Sequence, residues 1–320
     1  TGNANGLPVL KGTTNLVDPH FDKEFLEGEN TFKTVLGKVY KDVSFPFTKD
    51  AVFKSSTNEN DPEKYAQYWY YDSSKASLYL KQDQTNGKYY LESPKDNDDK
   101  PITDDNSKNI DAVGGQDGTH GFFPFNQTVS TVGASQYNYG FGAKLQFDFT
   151  LTQDGNVVVK DDIGNDTKVP IKFFFSGDDD VWVYIDGKLV LDVGGAHDKA
   201  SGLLEFGAGN TVTPYVSSNK NTDTKDPMVY TTDAKKTVYF NKTPIKFSKT
   251  TKQAIQLNSE LTTHTLTMFY MERGMWESNM AVAFNFPDSN ELQVEKEVNV
   301  DKVNDAFKDL FKDQKLFTFT

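Results

Sequence analysis

Residues 173–195 of this 320-residue chain read FFFSGDDDVWVYIDGKLVLDVGG. Apolar residues recur in it at a spacing of two, at Phe173 and Phe175 and again at Val181 and Val183. Successive side chains of a β-strand point to opposite faces, so each run can bury one face of a sheet. The stretch therefore predicts two strands with an acidic connection between them.

A β-hairpin is predicted in the second half of the same stretch. The dipeptide Asp186-Gly187 separates an apolar run at 181–185 from another at 188–193. Two-residue turns of this composition suit the right-handed twist of paired strands. We therefore expect Asp186 to be a turn residue, at the opposite end of the hairpin from the acidic connection, and not a ligand.

Three adjacent carboxylates occupy the predicted connection, at Asp178, Asp179 and Asp180. Held side by side at the end of a packed sheet, they repel one another and raise each other's pKa unless a positive charge lies among them. Calcium suits such a position because it is a hard ion that takes six to eight oxygen ligands in flexible geometry. The alternative is a solvated acidic loop.

The strand pattern continues along most of the chain and predicts an all-β, antiparallel sandwich with long loops. The segment at 144–151 alternates cleanly, with Leu145 and Phe149 predicted to face inward and Asp148 outward. The polar region from His197 to about Lys236 is predicted to be one long loop over the sandwich end. The remaining strand candidates lie at 34–40, 65–71, 76–80, 88–91, 264–271 and 280–286.

The central segments at 176–190 and 192–197 resemble the fibro-slime domain, a bacterial surface relative of the protective-antigen-type (PA-fourteen) β-sandwich. The resemblance covers about residues 20–288. It extends to YYDS at 70–73, GFFPFN at 121–126, YGFG at 139–142, FYMER at 269–273 and ESN at 277–279.

This resemblance implies a calcium site. In the wider family, yeast flocculins and epithelial adhesins are calcium-dependent lectins in which two consecutive aspartates, joined by a cis peptide bond, hold the ion against the hydroxyls of a sugar. Asp178 and Asp179 match that pair, and Asn279 matches an asparagine of the family's second calcium loop. Asp180 stands where many relatives carry glycine, so the resemblance leaves open whether it is a ligand or turns outward.

The connection between the last two predicted strands offers candidate sugar contacts. Trp276 can present a flat ring to the C–H face of a sugar, and Glu277 can bond its hydroxyls. The alternative is an aromatic side chain tucked beside a turn. Arg273, next to Glu272, is expected to form a structural ion pair at the strand end.

Composition excludes several classes of partner. The net charge is -12 and Arg273 is the only arginine, which argues against nucleic acid and anionic membranes. No apolar run approaches the length of a membrane span, so direct membrane insertion is not expected. The absence of cysteine excludes disulfides and thiol catalysis.

The pattern changes after Pro287, and we divide the chain into a head at 1–288, with an extended lead-in at 1–30, and a segment at 289–320. The apolar pattern of that segment predicts a strand, a short helix and the start of a second strand. The segment resembles the opening of a collagen-adhesin B-type stalk domain. The resemblance implies that Lys296 can form an amide cross-link in a longer protein. The alternative is an outward-facing strand lysine.

These observations together predict a secreted, calcium-dependent carbohydrate-binding head of a bacterial cell-surface adhesin, displayed on the cell wall as a monomeric unit that binds glycans. The first alternative is a protein-binding adhesin or structural surface module in which calcium only stabilises the loop. The second is an accessory module of a carbohydrate-active enzyme. Catalysis by the chain itself is not expected, since no HExxH, GxSxG or phosphate-loop motif occurs in it.

Overall fold

The computed structural model describes residues 25, 28–34, 37–93, 121–125, 138–178, 180–194, 199–217, 230–231, 234–272 and 278–287. These residues form strands almost throughout, which confirms the predicted all-β class. One 3-10 helix, η1, spans Pro62–Tyr65. The strands are β1 (Thr31–Thr34), β2 (Val39–Tyr40), β3 (Thr48–Asp50), β4 (Phe53–Lys54), β5 (Tyr68–Asp72), β6 (Tyr79–Gln82), β7 (Tyr89–Glu92), β8 (Phe141–Thr150), β9 (Asn156–Lys160), β10 (Asp166–Pro170), β11 (Lys172–Gly177), β12 (Asp180–Ile185), β13 (Lys188–Val193), β14 (Ala200–Gly207), β15 (Thr211–Ser217), β16 (Lys236–Phe240), β17 (Thr243–Thr250), β18 (Ile255–Gln256), β19 (Thr263–Glu272) and β20 (Met280–Phe284).

Two antiparallel sheets pack face to face. The smaller sheet has the order β13-β12-β19-β8-β1-β2, and the larger one runs β3-β5-β20-β11-β14-β15-β17-β16-β4, with β18 added beside β15. Two further hairpins, β6-β7 and β9-β10, form separate two-stranded sheets. Neighbours in sequence are not always neighbours in a sheet, since β11 and β12 lie in different sheets.

The predicted hairpin at the centre of the chain is confirmed. β12 and β13 pair antiparallel, with Ile185 opposite Lys188. Asp186 has φ 50° and Gly187 has φ 75°. Positive φ at both central residues is what a type I′ turn requires, and Asp-Gly supplies it at low cost. Asp186 is therefore a turn residue, as predicted.

The main core lies between the two sheets, and period two decides which side chains enter it. Phe173 and Phe175 of β11 are fully buried there, together with Val181 and Val183 of β12. Phe174, which points the other way, belongs to a second cluster on the opposite face of the larger sheet. Burial of these faces is the main driving force for the sandwich.

A third apolar cluster covers the outer face of the smaller sheet. It contains Phe25, Tyr184 and Phe269, and Trp182 packs against it while remaining partly exposed. A Cβ placed on Gly194 would come within 2.6 Å of the Trp182 ring. Trp182 therefore lies over the backbone of the next strand's end.

The prediction of one long loop from His197 to about Lys236 was wrong. β14 and β15 occupy much of that region and pair from Gly202 opposite Val216 to Gly207 opposite Thr211. Leu204 and Val212 both enter the main core. Polar residues around these strands conceal the alternation of their apolar ones, which is why composition alone suggested a loop.

The chain divides into two compact units, Thr1–Pro287 and Asp288–Thr320. Every described residue belongs to the first unit, so the predicted stalk segment at 289–320 and Lys296 lie outside the described residues and stay predictions. No helix in the described part of the chain is long and apolar enough to cross a membrane.

Candidate functional site

The candidate site lies where the chain passes from one sheet to the other. β11 ends at Gly177 in the larger sheet and β12 begins at Asp180 in the smaller one. The link between them is therefore very short, and it brings Asp178 to one end of the sandwich. Asp179 lies outside the described residues, and with it the predicted cis peptide bond.

Asp178 contacts Asn279, the residue matched to the second calcium loop. The Asn279 Nδ2 donates a hydrogen bond to Asp178 Oδ2 at 2.8 Å. The backbone N–H of Asp178 also donates to the Asn279 carbonyl oxygen at 3.3 Å. Because Gly177 of β11 is paired with Met280 of β20, this contact continues the pairing of the two strands by one residue. The structure thus brings two of the predicted ligand residues together from positions 101 residues apart.

Gly177 makes that contact possible. A Cβ built at this position would lie 2.1 Å from the Asn279 carbonyl oxygen and 2.8 Å from Cζ of Phe175. No side chain can be accommodated there without moving the backbone of one of the two segments. A glycine at the end of a strand is a common device for such a close approach.

Asp180 does not lie in the connection, contrary to the sequence prediction. It is the first residue of β12 and is paired with Met271 of β19. Since Val181 and Val183 enter the main core, alternation directs Asp180 to the outer face of the smaller sheet, where it is 1% exposed. The reason for the error is that β12 pairs with β19 from its very first residue, so the strand begins inside the acidic run.

A buried polar network lies at the end of β19. Tyr270 donates a hydrogen bond to Glu272 Oε2 at 3.0 Å, and its hydroxyl is also 3.0 Å from the Ser278 Oγ. Ser278 in turn donates to the carbonyl oxygen of Phe122 at 2.6 Å. Glu272 and Tyr270 are both fully buried.

The electrostatics of this network connect it to Asp178. Burial raises the pKa of the Tyr270 hydroxyl well above its ordinary value, and the negative charges of Glu272 and Asp178 add to that effect. The negative charges of Glu272 and Asp178 therefore both act on the Tyr270 hydroxyl, at one end of the sandwich. The sequence prediction treated Glu272 only as a strand-end ion-pair residue. Its place in the inward-facing alternation that includes Leu266, Met268 and Tyr270 was the signal that could have identified it as buried.

The described donors fit part of a calcium shell. A carboxylate and an amide oxygen are the hard ligands that calcium prefers, and Asp178 with Asn279 could supply about three of the six to eight oxygens it needs. Within the described ranges no group of three or more His, Cys, Asp or Glu side chains could hold a metal ion. The remaining oxygens would therefore have to come from Asp179, backbone carbonyls, water or a ligand.

The other predicted contacts are not covered by the structural description. Trp276 and Glu277 lie outside the described residues, as does Arg273. Their assignment as sugar contacts or as an ion-pair partner stays a prediction.

Comparison with known proteins finds partial relatives in Dictyostelium discoideum. A stretch of 68 residues is 43% identical to Protein psiP, covering 21% of this chain and 7% of that protein. Protein psiO is 35% identical over 88 residues, which are 28% of this chain and 10% of psiO. Protein psiI is 39% identical over 76 residues, or 24% of this chain and 8% of psiI.

These relatives are much longer than the matched region, since the chain matches a tenth or less of the length of each of the three. No family model matches the chain, and no solved structure matches it. The similarities give no support to a bacterial origin, and they are too partial to assign the chain to a family.

Proposed function

We propose that this chain is the calcium-dependent carbohydrate-binding head of a cell-surface adhesin, built on a fibro-slime or PA-fourteen-like sandwich. The observation that supports it is the contact between Asp178 and Asn279. The family resemblance matches Asp178 to the first of the two calcium-binding aspartates and Asn279 to the asparagine of the second calcium loop, and the two residues are 101 positions apart in the sequence. A sandwich of two antiparallel sheets agrees with the same resemblance.

The chain's own residues position the backbone of the proposed site. Asp178 and Asn279 extend the paired strands β11 and β20, so their backbones need little ordering before an ion binds. The Asn279 amide, whose Nδ2 faces Asp178, would have to turn its oxygen toward the ion. When bound, calcium would offer coordination positions to vicinal hydroxyls of a sugar. Asp179 would complete the ligand pair, and Trp276 and Glu277 would contact the rest of the sugar.

Binding by a single head is expected to be weak. Each sugar hydroxyl that reaches the ion replaces a bound water, so the net gain per contact is small. Many heads on one surface would raise the effective affinity by roughly 10²–10⁴ through multivalency. This property suits a displayed adhesin, and a monomeric head is sufficient for it.

A second candidate function follows from the burial of Asp178. Asp178 is only 8% exposed, which limits how closely a sugar could approach its carboxylate. In this alternative, calcium stabilises the connection between β11 and β12, and the adhesin binds a protein through other surfaces.

The test combines calcium titration with a glycan array. Calcium should raise the melting temperature of the purified chain, and the array should show sugar binding that EDTA abolishes. Asp178→Asn and Asn279→Ala should each weaken calcium binding by about tenfold or more, as loss of a metal ligand or its orienting partner does. Asp166→Asn is the matched control, because Asp166 lies on the exposed β10 strand and pairs only with Lys160 in the described structure.

Each outcome selects one function. Calcium-stabilised folding with a blank array supports the protein-binding alternative and rejects the lectin. Release of sugar from the array would instead indicate a module of a carbohydrate-active enzyme. An unchanged melting temperature at millimolar calcium would reject the calcium site in both forms.

A further inference from the structure

A cavity of about 500 Å³ lies beside the β6-β7 hairpin, and it includes neither Asp178 nor Asn279. Its volume falls in the range of small-molecule sites, roughly 300–1,000 Å³. β2 forms one wall, the hairpin forms another, and the segment at 121–125 closes one side. The lining residues are Lys38, Tyr40, Leu80, Lys81, Gln82, Gln84, Tyr89, Pro124 and Phe125.

The cavity is locally basic in a chain that is strongly acidic overall. Lys38 lines it, and none of the described lining residues is acidic, whereas the whole chain carries a net charge of -12. Lys81 also borders the cavity, but it pairs with Tyr90, so strand alternation directs its side chain to the hairpin face opposite Gln82 and Tyr89. A local reversal of sign of this kind favours an anionic ligand, because it attracts that ligand against the field of the rest of the protein.

Lys38 is held in a defined position. Its Nζ donates a hydrogen bond to the Tyr89 hydroxyl at 2.7 Å. The same Nζ lies 5.1 Å from the centroid of the Tyr40 ring and 5.0 Å from that of Tyr89. The hydrogen bond to Tyr89 raises the pKa of Lys38, so the ammonium is charged at neutral pH. The group is therefore a positive charge on the lining of the cavity, oriented by Tyr89 and Tyr40.

Aromatic rings form the apolar part of the lining. The Tyr40 ring lies 5.0 Å from that of Tyr89, edge to face, and 5.8 Å from that of Phe125. All three residues are partly exposed. A sugar ring has an apolar C–H face as well as polar hydroxyls. Partly exposed aromatic rings can pack against that C–H face.

Two amides on the hairpin are oriented by its backbone. The Gln82 Nε2 donates to the Gly87 carbonyl oxygen at 3.0 Å, and the Gln84 Nε2 donates to the Gln82 carbonyl oxygen at 3.1 Å. With the nitrogens engaged, the amide oxygens are the atoms that can accept hydrogen bonds from ligand hydroxyls.

We propose that this cavity binds a carboxylate-bearing sugar of the hexuronic acid class, with its carboxylate on Lys38, its ring against Tyr40 and Phe125, and its hydroxyls on Gln82 and Gln84. The site is independent of calcium. It adds a second, charge-selective contact to the proposed adhesin but does not require that the calcium site exists.

The test is a titration of the ¹⁵N-labelled chain with glucuronate in the presence of EDTA, monitored by NMR chemical shifts. Shifts should map to residues of the β6-β7 hairpin and β2, with a dissociation constant on the order of 1 mM, as expected for a ligand of this size. Lys38→Gln should weaken binding by about tenfold, since it removes a charge-assisted contact. Lys160→Gln, on the exposed β9 strand, should leave binding unchanged.

Three results would overturn the proposal. If glucose binds as tightly as glucuronate, the site does not recognise the carboxylate charge. If acetate binds as tightly as glucuronate, the site does not recognise the sugar ring. Undiminished binding by Lys38→Gln, with the fold verified by its NMR spectrum, would remove the assigned cation. Because EDTA is present throughout, failure of the calcium proposal leaves these outcomes unaffected.

Discussion

At the scale of single residues, Gly177 determines the geometry of the candidate site. Because this glycine carries no side chain, β11 stays paired with β20 up to the pair of Gly177 and Met280, and Asp178 then lies against Asn279. The sequence identified the acidic run that follows this glycine but could not identify the contact. The partner segment is a hundred residues away, and local alternation carries no information about it.

Gly177→Ala should destabilise the fold by about 2–4 kcal/mol, because the new Cβ must displace a backbone carbonyl rather than a flexible side chain. The measurement is urea denaturation followed by circular dichroism. Gly164→Ala is the matched control, since no atom lies within 4 Å of its Cβ and its φ of +87° tests backbone strain alone. That variant should lose only about 1 kcal/mol. Equal losses in the two variants would show that the Asn279 contact is not tight.

At the scale of elements, one buried ion pair connects η1 to the larger sheet. Lys172 of β11 and Glu63 of η1 are 1% and 2% exposed and form a salt bridge. The Lys172 Nζ also donates to Ser55 Oγ at 2.6 Å, and the Tyr68 hydroxyl donates to Glu63 at 3.4 Å. These bonds satisfy charges that would be costly to bury alone.

Lys172→Met should cost about 3–5 kcal/mol of unfolding free energy, because it leaves the Glu63 carboxylate buried without its main partner. The double variant Lys172→Met/Glu63→Gln should recover part of that loss, since it removes both charges together. Denaturant melts of the two single variants and the double variant give the coupling energy. Lys160→Met, which breaks an exposed pair with Asp166, is the control and should change stability by less than about 1 kcal/mol. A double variant that loses more unfolding free energy than the two single variants lose together would contradict this account.

Local patterns predicted some elements well and others poorly. β8, β12, β13 and β19 were found because apolar residues alternate over most of their length and clear turn signals flank them. β14 and β15 were missed because serine, threonine and lysine around them diluted the same signal. The pair of Lys172 and Glu63 could not be predicted, since the two residues are 109 positions apart and only the sheet topology brings them together.

Sequence patterns left the topology of the two sheets undetermined. Alternation predicted a sandwich, yet it could not show that β11 and β12 lie in different sheets or that β20 lies between β5 and β11. Pairings between distant strands depend on the complete set of apolar faces and not on any one strand. The consequence for the site is direct, because the crossing between sheets is what places Asp178 at the sandwich end.

The same packing buries tyrosine hydroxyls throughout the domain and predicts a steep loss of stability in alkali. Burial raises the pKa of Tyr68, Tyr71 and Tyr270 well above the ordinary value of 10, with nearby carboxylates adding to it. Burial also raises the pKa of Tyr184 to about 12. Below pH 10 these groups are protonated in both the folded and unfolded states. Above it the unfolded chain ionises first, so stability falls as pH rises.

Three such tyrosines should together lower the unfolding free energy by about 4 kcal/mol per pH unit above pH 10, at about 1.4 kcal/mol each. Urea melts at pH 8, 10 and 11 measure the loss, and absorbance at 295 nm reports tyrosine ionisation in parallel. The buried tyrosines should ionise only together with the loss of the β-sheet circular dichroism signal. If all 15 tyrosines ionise near pH 10 while the sheet signal persists, the phenols are not held in the sandwich interior as described.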